Sequence, residues 1–292
     1  MRNTDIIGTG VALITPFDEH NKVDLQGLEN LVNHTIESGV DFLVLMGTTA
    51  ESATLSDEEK IEAIEVIKNT NNNRLPMVIG IGGNNTQKVI TQIQNTDLSD
   101  YTAILSVSPY YNRPSQEGIY QHFAQIAQST EKDIILYNVP SRTGSNIETS
   151  TTIRLAHEFK NIVAIKEASP NYMQSSYILN EKPEDFIVLS GDDAFALPMV
   201  LAGGQGVISV IGQALPQYSE MIRLGLERKT DEAYELYYKI LNITEEIYKE
   251  GNPAGIKALL KSLNVCSSET RLPLVKASDH LENEIQSLFN KL

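Results

Sequence analysis

The chain has 292 residues, 41% of them hydrophobic, enough to bury the core of one large α/β domain or of a domain with a helical appendage. Its formal charge of −15, from 23 Lys and Arg against 38 Asp and Glu, repels polyphosphate backbones and anionic membranes, so neither nucleic acid nor membrane is an expected partner. The single cysteine, Cys266, excludes an intrachain disulfide and a cysteine-based metal site and suits a reducing compartment.

The first apolar run, IIGTGVALITPF, is greasy enough to imitate a signal-peptide core, but Asp5 precedes it and no small-residue cleavage site follows, so it reads as a strand. No run approaches the ~20 apolar residues of a membrane span. A soluble, cytoplasmic protein is expected.

Eight short runs rich in β-branched residues, each punctuated at both ends, read as strands: 10–17, 42–47, 77–82, 103–109, 134–140, 163–169, 186–193 and 206–212. Between them lie amphipathic segments of helical period, such as DLQGLENLVNHTIESG, DEEKIEAIEVIKN and SQEGIYQHFAQIAQST. Eight alternating units are what a closed (β/α)8 barrel needs, whereas a doubly wound open sheet more often has five or six strands. Residues 1–224 are therefore expected to form an α/β TIM barrel. Beyond about residue 216 the strand signal stops, and residues 225–292 read as a C-terminal helical extension packed on the barrel. Thr230 is placed to cap its first helix, and Gly251 with Pro253 separates that helix from the next.

Active sites of such barrels form at the C-terminal ends of the strands. The second strand is followed there by Thr48 and Thr49, the fourth by Tyr110 and Tyr111, and the fifth ends in YNVPSRTG with Tyr137 and Arg142. The sixth strand, VAIKEAS, carries Lys166 among apolar and small residues, on one face with Ile162, Ala164 and Ala168 by strict alternation. Desolvation disfavours the ammonium form of an amine, and a neutral amine is the nucleophile that a Schiff base with a carbonyl substrate requires. Hydroxyls of threonine and tyrosine can move protons through the carbinolamine steps, and the planar fork of Arg142 suits a carboxylate.

Each residue also has a plainer reading. Lys166 can snorkel or pair with an acid, the tyrosines can simply pack, GTTAES can be a turn and helix start, and Arg142 can be a surface ion pair. Asp192 and Asp193 in GDDA can bind a cation but more simply cap the following helix. Other chemistries find little support: GIGGNNT fits neither common phosphate-binding glycine pattern, the five histidines lack metal-ligand spacing, and no serine-hydrolase elbow is present.

The motifs GTTAES, PYYNRPSQEG, LYNVPSRTG, IKEAS, LSGDD and GVISV, with NPAGIKALL and RLPL after them, resemble in order those of the pyruvate-dependent class I aldolases and lyases, the dihydrodipicolinate synthase and N-acetylneuraminate lyase superfamily. The resemblance covers nearly the whole chain and is strongest to the dihydrodipicolinate synthase branch. It implies condensation of pyruvate with L-aspartate 4-semialdehyde in the diaminopimelate route to lysine, with no metal or organic cofactor. Lys166 would form the Schiff base, Tyr137, Thr48 and Tyr111 a proton relay, and Thr49 with the backbone at Gly191 and Ile208 the pyruvate pocket. Arg142 would hold the semialdehyde carboxylate, a group that the sugar-acid lyases of the superfamily have no need to pair.

In the family the counterpart of Tyr111 crosses from the neighbouring subunit, which makes a homodimer the minimum unit, with a homotetramer open. Ala50 stands where glycine is usual. Lysine-inhibited members bind the inhibitor through positions matching Ser52, Ala53, Asp57, Lys60, Asn84, Lys88 and Tyr110. Here Lys88 replaces a glutamate, and Asp57 and Lys60 replace histidines, so weak or absent inhibition by L-lysine is expected.

Overall fold

A computed structural model describes residues 4–292; residues 1–3 of the expected barrel segment lie outside the described residues. Strand β1 (Gly8–Ala12) is followed by helix α1 (Leu25–Glu37), β2 (Phe42–Leu45) by α2 (Asp57–Asn71), and β3 (Met77–Gly80) by α3 (Thr86–Asn95). Next come β4 (Ala103–Val107) with α4 (Gln116–Gln128), then β5 (Asp133–Asn138) with a short α5 (Pro140–Thr143) and α6 (Thr149–Glu158). The barrel part ends with β6 (Ile162–Glu167) and α7 (Tyr172–Glu181), β7 (Ile187–Ser190) and α8 (Ala196–Leu201), and β8 (Gly206–Ser209) with α9 (Pro216–Leu226). Each strand pairs in parallel with its neighbours in chain order, and β8 closes on β1. Helix α9 runs across the boundary expected at 224, and α10 (Thr230–Glu246), α11 (Ala254–Ser262) and α12 (Asp279–Phe289) follow.

The helices begin where their sequences supply an acceptor for orphan backbone N–H groups. Ser56 and Glu59 form a reciprocal capping box on α2, and Asp24, Asn85, Ser115, Asn171 and Ser278 accept first-turn N–H groups of α1, α3, α4, α7 and α12. Thr230 does not act this way: it is the first residue of α10, whose N-cap is Lys229, and its hydroxyl faces the carbonyl of Arg228 at 3.5 Å.

Strand alternation divides the apolar residues into two cores. Outward-facing Leu136, Ile165, Val188 and Val207 pack under the helices, while Phe42, Val44, Val78, Leu105, Ile135, Leu189 and Ile208 fill the barrel. Each such side chain removed from water contributes about 1.5–3 kcal/mol. The interior is closed by size complementarity: a Cβ at Gly10 would lie 2.1 Å from the Phe42 ring, so only glycine admits that ring.

Alternation fails at one informative point. β5 and β6 pair as Ile134 with Ile162 and then as Ile135 with Ala164, so β6 carries one extra residue. Ile162 consequently packs with the outer core, not on the face of Lys166 and Ala164 where simple alternation puts it. Past the bulge, Tyr137 is opposite Lys166 and Asn138 opposite Glu167.

Candidate active site

At the C-terminal mouth of the barrel, Lys166 is buried, with 6% of its surface exposed. It therefore does not snorkel, and among the described residues no carboxylate forms an ion pair with it. Its Nζ lies 4.5 Å from the centre of the Tyr137 ring, which is 7% exposed and belongs to the neighbouring strand. On the other side Lys166 is paired with Leu189 of β7, and Gly191 leaves the room its stem occupies: a Cβ there would lie 3.1 Å from Lys166 Cε and 2.6 Å from Ala168 Cβ. Ile208, paired with Gly10, is part of the same interior cluster as Tyr137 and Leu189. The structure thus brings Lys166, Tyr137 and Gly191 together in the wall of the barrel mouth.

Thr48, Thr49 and Ala50 form a 3-10 turn directly after β2, and Glu51 leaves it with a left-handed backbone, φ 52°. The Thr49 hydroxyl is buried and accepts a 2.9 Å hydrogen bond from Asn252 Nδ2 in the segment before α11. Thr48 is exposed. Arg142 lies in α5, a four-residue turn opened by Pro140 and stopped by Gly144 at φ 66°. Its guanidinium is exposed and meets the carbonyl of Asn252 at 3.5 Å; among the described residues no carboxylate pairs with it, so the surface ion pair is not formed.

Tyr111 is not gathered with the others. It is 89% exposed and its φ of 74° is in the left-handed region, an uncommon backbone for an aromatic residue. Within one chain the pair Lys166–Tyr137 is assembled, Thr49 and Arg142 are bridged through Asn252, and Tyr111 stands outside.

Asp193 does not cap α8. Its buried carboxylate accepts the N–H groups of Val210 and Ile211 and the hydroxyl of Tyr248 at 2.6 Å, tying the ends of β7 and β8 to the C-terminal extension. Asp192 Oδ1 accepts the Phe195 N–H, but Phe195 is itself the N-cap of α8 and no side chain caps that helix, so neither aspartate takes the expected capping role. Among the described residues no group of three or more His, Cys, Asp or Glu side chains is placed to hold a metal ion. Burial pushes the Cys266 thiol up to about 12, so it supplies no thiolate.

Sequence reasoning missed Asn252 and Glu167. Asn252 lies in NPAG, which otherwise reads as a helix break, and Glu167 follows Lys166 directly as a charge in a strand with both faces covered.

The chain matches the Dihydrodipicolinate synthetase family over residues 5–292. It is 53% identical over 286 residues to the 4-hydroxy-tetrahydrodipicolinate synthase of Flavobacterium psychrophilum, covering 98% of this chain and 97% of that one. Among solved structures, dihydrodipicolinate synthase from Aquifex aeolicus aligns with a TM-score of 0.93 at 39% identity over 98% of both chains. The enzyme from Thermotoga maritima aligns with a TM-score of 0.95 at 33% identity, again over 98% of each.

Proposed function

Because the chain belongs to the dihydrodipicolinate synthetase family, we propose that it condenses pyruvate with L-aspartate 4-semialdehyde through a Schiff base on Lys166, giving 4-hydroxy-tetrahydrodipicolinate on the diaminopimelate route to lysine. The observation that carries this reading is the buried Lys166 amine against the Tyr137 ring, with no acid paired to it among the described residues. The amine attacks the pyruvate ketone, the carbinolamine loses water, and loss of a methyl proton gives the enamine that bonds to the aldehyde carbon; the semialdehyde's own amine then adds to the regenerated imine, closing the ring and releasing Lys166.

Tyr137 and Thr48 of one subunit and Tyr111 of its neighbour carry the protons between these steps. Thr49, with the backbone at Gly191 and Ile208, receives pyruvate. Arg142 clamps the semialdehyde carboxylate, and its freedom from an acidic partner among the described residues supports that role. The steps use an amine, hydroxyls and a guanidinium. A homodimer is the smallest complete unit on this reading, supported by the exposed, strained Tyr111. Inhibition by L-lysine is weak or absent, because Lys88 presents a cation where an anion would attract the inhibitor's ammonium. Among the described residues no helix is long and apolar enough to cross a membrane.

The deciding experiment is pyruvate-dependent consumption of aspartate semialdehyde by the purified protein beside Lys166→Ala and Arg142→Ala. Turnover by the wild type that disappears in both variants supports the reading. Absence of turnover in the wild type, with activity on N-acetylmannosamine or glyceraldehyde in its place, would move the chain to a sugar-acid or hydroxy-oxo-acid aldolase.

A further inference from the structure

Directly behind the lysine, on the outer face of β6, Glu167 is 1% exposed and has no cation paired with it among the described residues. A buried carboxylate is costly unless donors surround it. Here they do. Asn138 Nδ2 lies 3.0 Å from both carboxylate oxygens, Gln174 Nε2 2.9 Å from Oε2, and the Ser169 N–H 2.7 Å from Oε1. Burial raises the Glu167 pKa and these hydrogen bonds pull it back down. Every contact is a donor and none is an acceptor, the arrangement that favours the carboxylate over the acid, whose own O–H would be turned toward an N–H.

The donors are themselves fastened to the site. Asn138 follows Tyr137 and faces Glu167 across the strands, as Tyr137 faces Lys166. Asn138 Oδ1 accepts the Ile147 N–H at 2.9 Å, and its amide also donates to Asn146 Oδ1 at 2.8 Å. Asn146 donates to Gln174 Oε1 at 2.8 Å, which closes a ring of four side chains. The loop carrying Arg142 leaves the barrel at Asn138 and returns at Asn146, so both of its ends are held by this ring. One carboxylate therefore gathers the strand positions of Lys166 and Tyr137 and the base of the Arg142 loop.

We propose that Glu167 is a positioning residue for the reaction: its uncompensated carboxylate locks β5 to β6 so that Tyr137 stays against Lys166, and it fixes the base of the Arg142 loop. This rests on the Schiff-base reading above. The polarity matters as much as the shape, because an amide at position 167 presents an N–H₂ to at least one of the surrounding N–H donors. No other group in the ring can take the place of the anion.

The test compares wild type, Glu167→Gln and the swap Glu167→Gln/Gln174→Glu, which returns a carboxylate to the ring from the opposite side. Competent sites are counted by borohydride trapping with pyruvate and intact-mass measurement, so that misfolded chains are removed from the kinetics. In E167Q the expected result is a fall in kcat per trapped site of tenfold or more, with a raised KM for the semialdehyde, and partial recovery of both in the swap. A purely structural carboxylate would lower the number of trapped sites and leave kcat per site and both KM values at the wild-type level, and that result would overturn the proposal. If E167Q does not accumulate folded, Asn138→Leu, which keeps the anion and removes its link to β5, carries the same comparison with the same two outcomes. Failure of the wild type itself to trap pyruvate would instead overturn the Schiff-base reading.

Discussion

Lys257 Nζ lies 2.5 Å from Glu51 Oε1, and both side chains are wholly buried. Glu51 ends the turn that carries Thr48 and Thr49, and Lys257 is on α11, so this ion pair pins the C-terminal extension to the threonine turn. The rest of the lysine's demands are met by the Glu269 carbonyl at 2.8 Å and the Phe17 ring at 4.3 Å, and Arg271 N–H donates to the other Glu51 oxygen. Burial pushes the Lys257 pKa down and the Glu51 charge pulls it back. Breaking a buried pair strands the remaining charge, at a cost of about 3–5 kcal/mol, whereas removing both charges is often close to neutral. Urea unfolding of Lys257→Met and Glu51→Gln should show a large loss in each, and the double variant should lose far less than the sum. Additive losses would mean that the two groups do not act as a pair.

The position of Tyr111 leads to a complementation experiment. Tyr111→Phe and Lys166→Ala should each be folded and nearly inactive. In a mixed dimer, the Lys166 site of the first chain receives the intact Tyr111 of the second. Random exchange of subunits makes half of the dimers mixed, each with one complete site, so activity should return to about a quarter of wild type. If the mixture stays inactive although exchange is verified by mass spectrometry, Tyr111 does not serve a neighbouring chain.

How much of this was legible beforehand depended on how local the cause was. All eight strands announced themselves by β-branched runs, but the first was read as 10–17 and the sheet ends at Ala12. Leu13 to Phe17 keep the apolar signal while the ladder gives out, and the Ile14 N–H is taken by the side chain of Gln213, 199 residues away. The face of Ile162 was misread because a bulge leaves no mark in alternation. Lys166 was legible as a charge in an apolar run, and Arg142 as a polar residue at a strand end. Asn252 was not, since its partner Thr49 is 203 residues distant in the chain and nothing near NPAG reports that contact.

His122 should set part of the acid limb of stability. It is buried between α3 and α4, with Nδ1 2.9 Å from Thr86 Oγ1 and Nε2 without a partner, and burial lowers its pKa to about 4. Its ordinary value is 6.5. Between these values the unfolded chain binds the proton and the folded chain does not, so stability rises with pH across that window. The contribution is complete above pH 6.5 and is lost progressively down to about pH 4, amounting to about 3 kcal/mol. Denaturant titrations from pH 7 to 4 should show this slope in the wild type and a flatter one in His122→Gln. Equal slopes would assign the acid limb to other groups.

Feedback by L-lysine offers a charge-reversal test. Lys88 is exposed in the first turn of α3, while Lys60 is ion-paired with Asp57 at 3.2 Å, so on the proposed reading Lys88 is the cation that an inhibitor's ammonium would meet. Wild-type turnover should be unchanged by millimolar L-lysine, and Lys88→Glu should become measurably more sensitive. Strong inhibition of the wild type would show that Lys88 does not decide the matter.

Gly191 should tolerate no side chain without loss of turnover. Its N–H is bonded to the Glu167 carbonyl at 2.7 Å, which fixes it beside β6 and leaves no freedom to retreat. A methyl group there would approach Ala168 Cβ to 2.6 Å, closer than two carbons can sit, and Lys166 Cε to 3.1 Å. The lysine stem can swing clear, but Ala168 Cβ is fixed to the backbone, so its overlap is relieved only by a shift of the end of β6. That shift carries the amine away from the Tyr137 ring. Gly191→Ala should trap pyruvate more slowly and turn over roughly tenfold less or worse, since a misplaced nucleophile loses rate steeply. Thermal stability should fall as well, because relieving the overlap with Ala168 moves backbone at the barrel mouth. Unaltered trapping in this variant would mean that the Lys166 stem does not depend on the space Gly191 leaves.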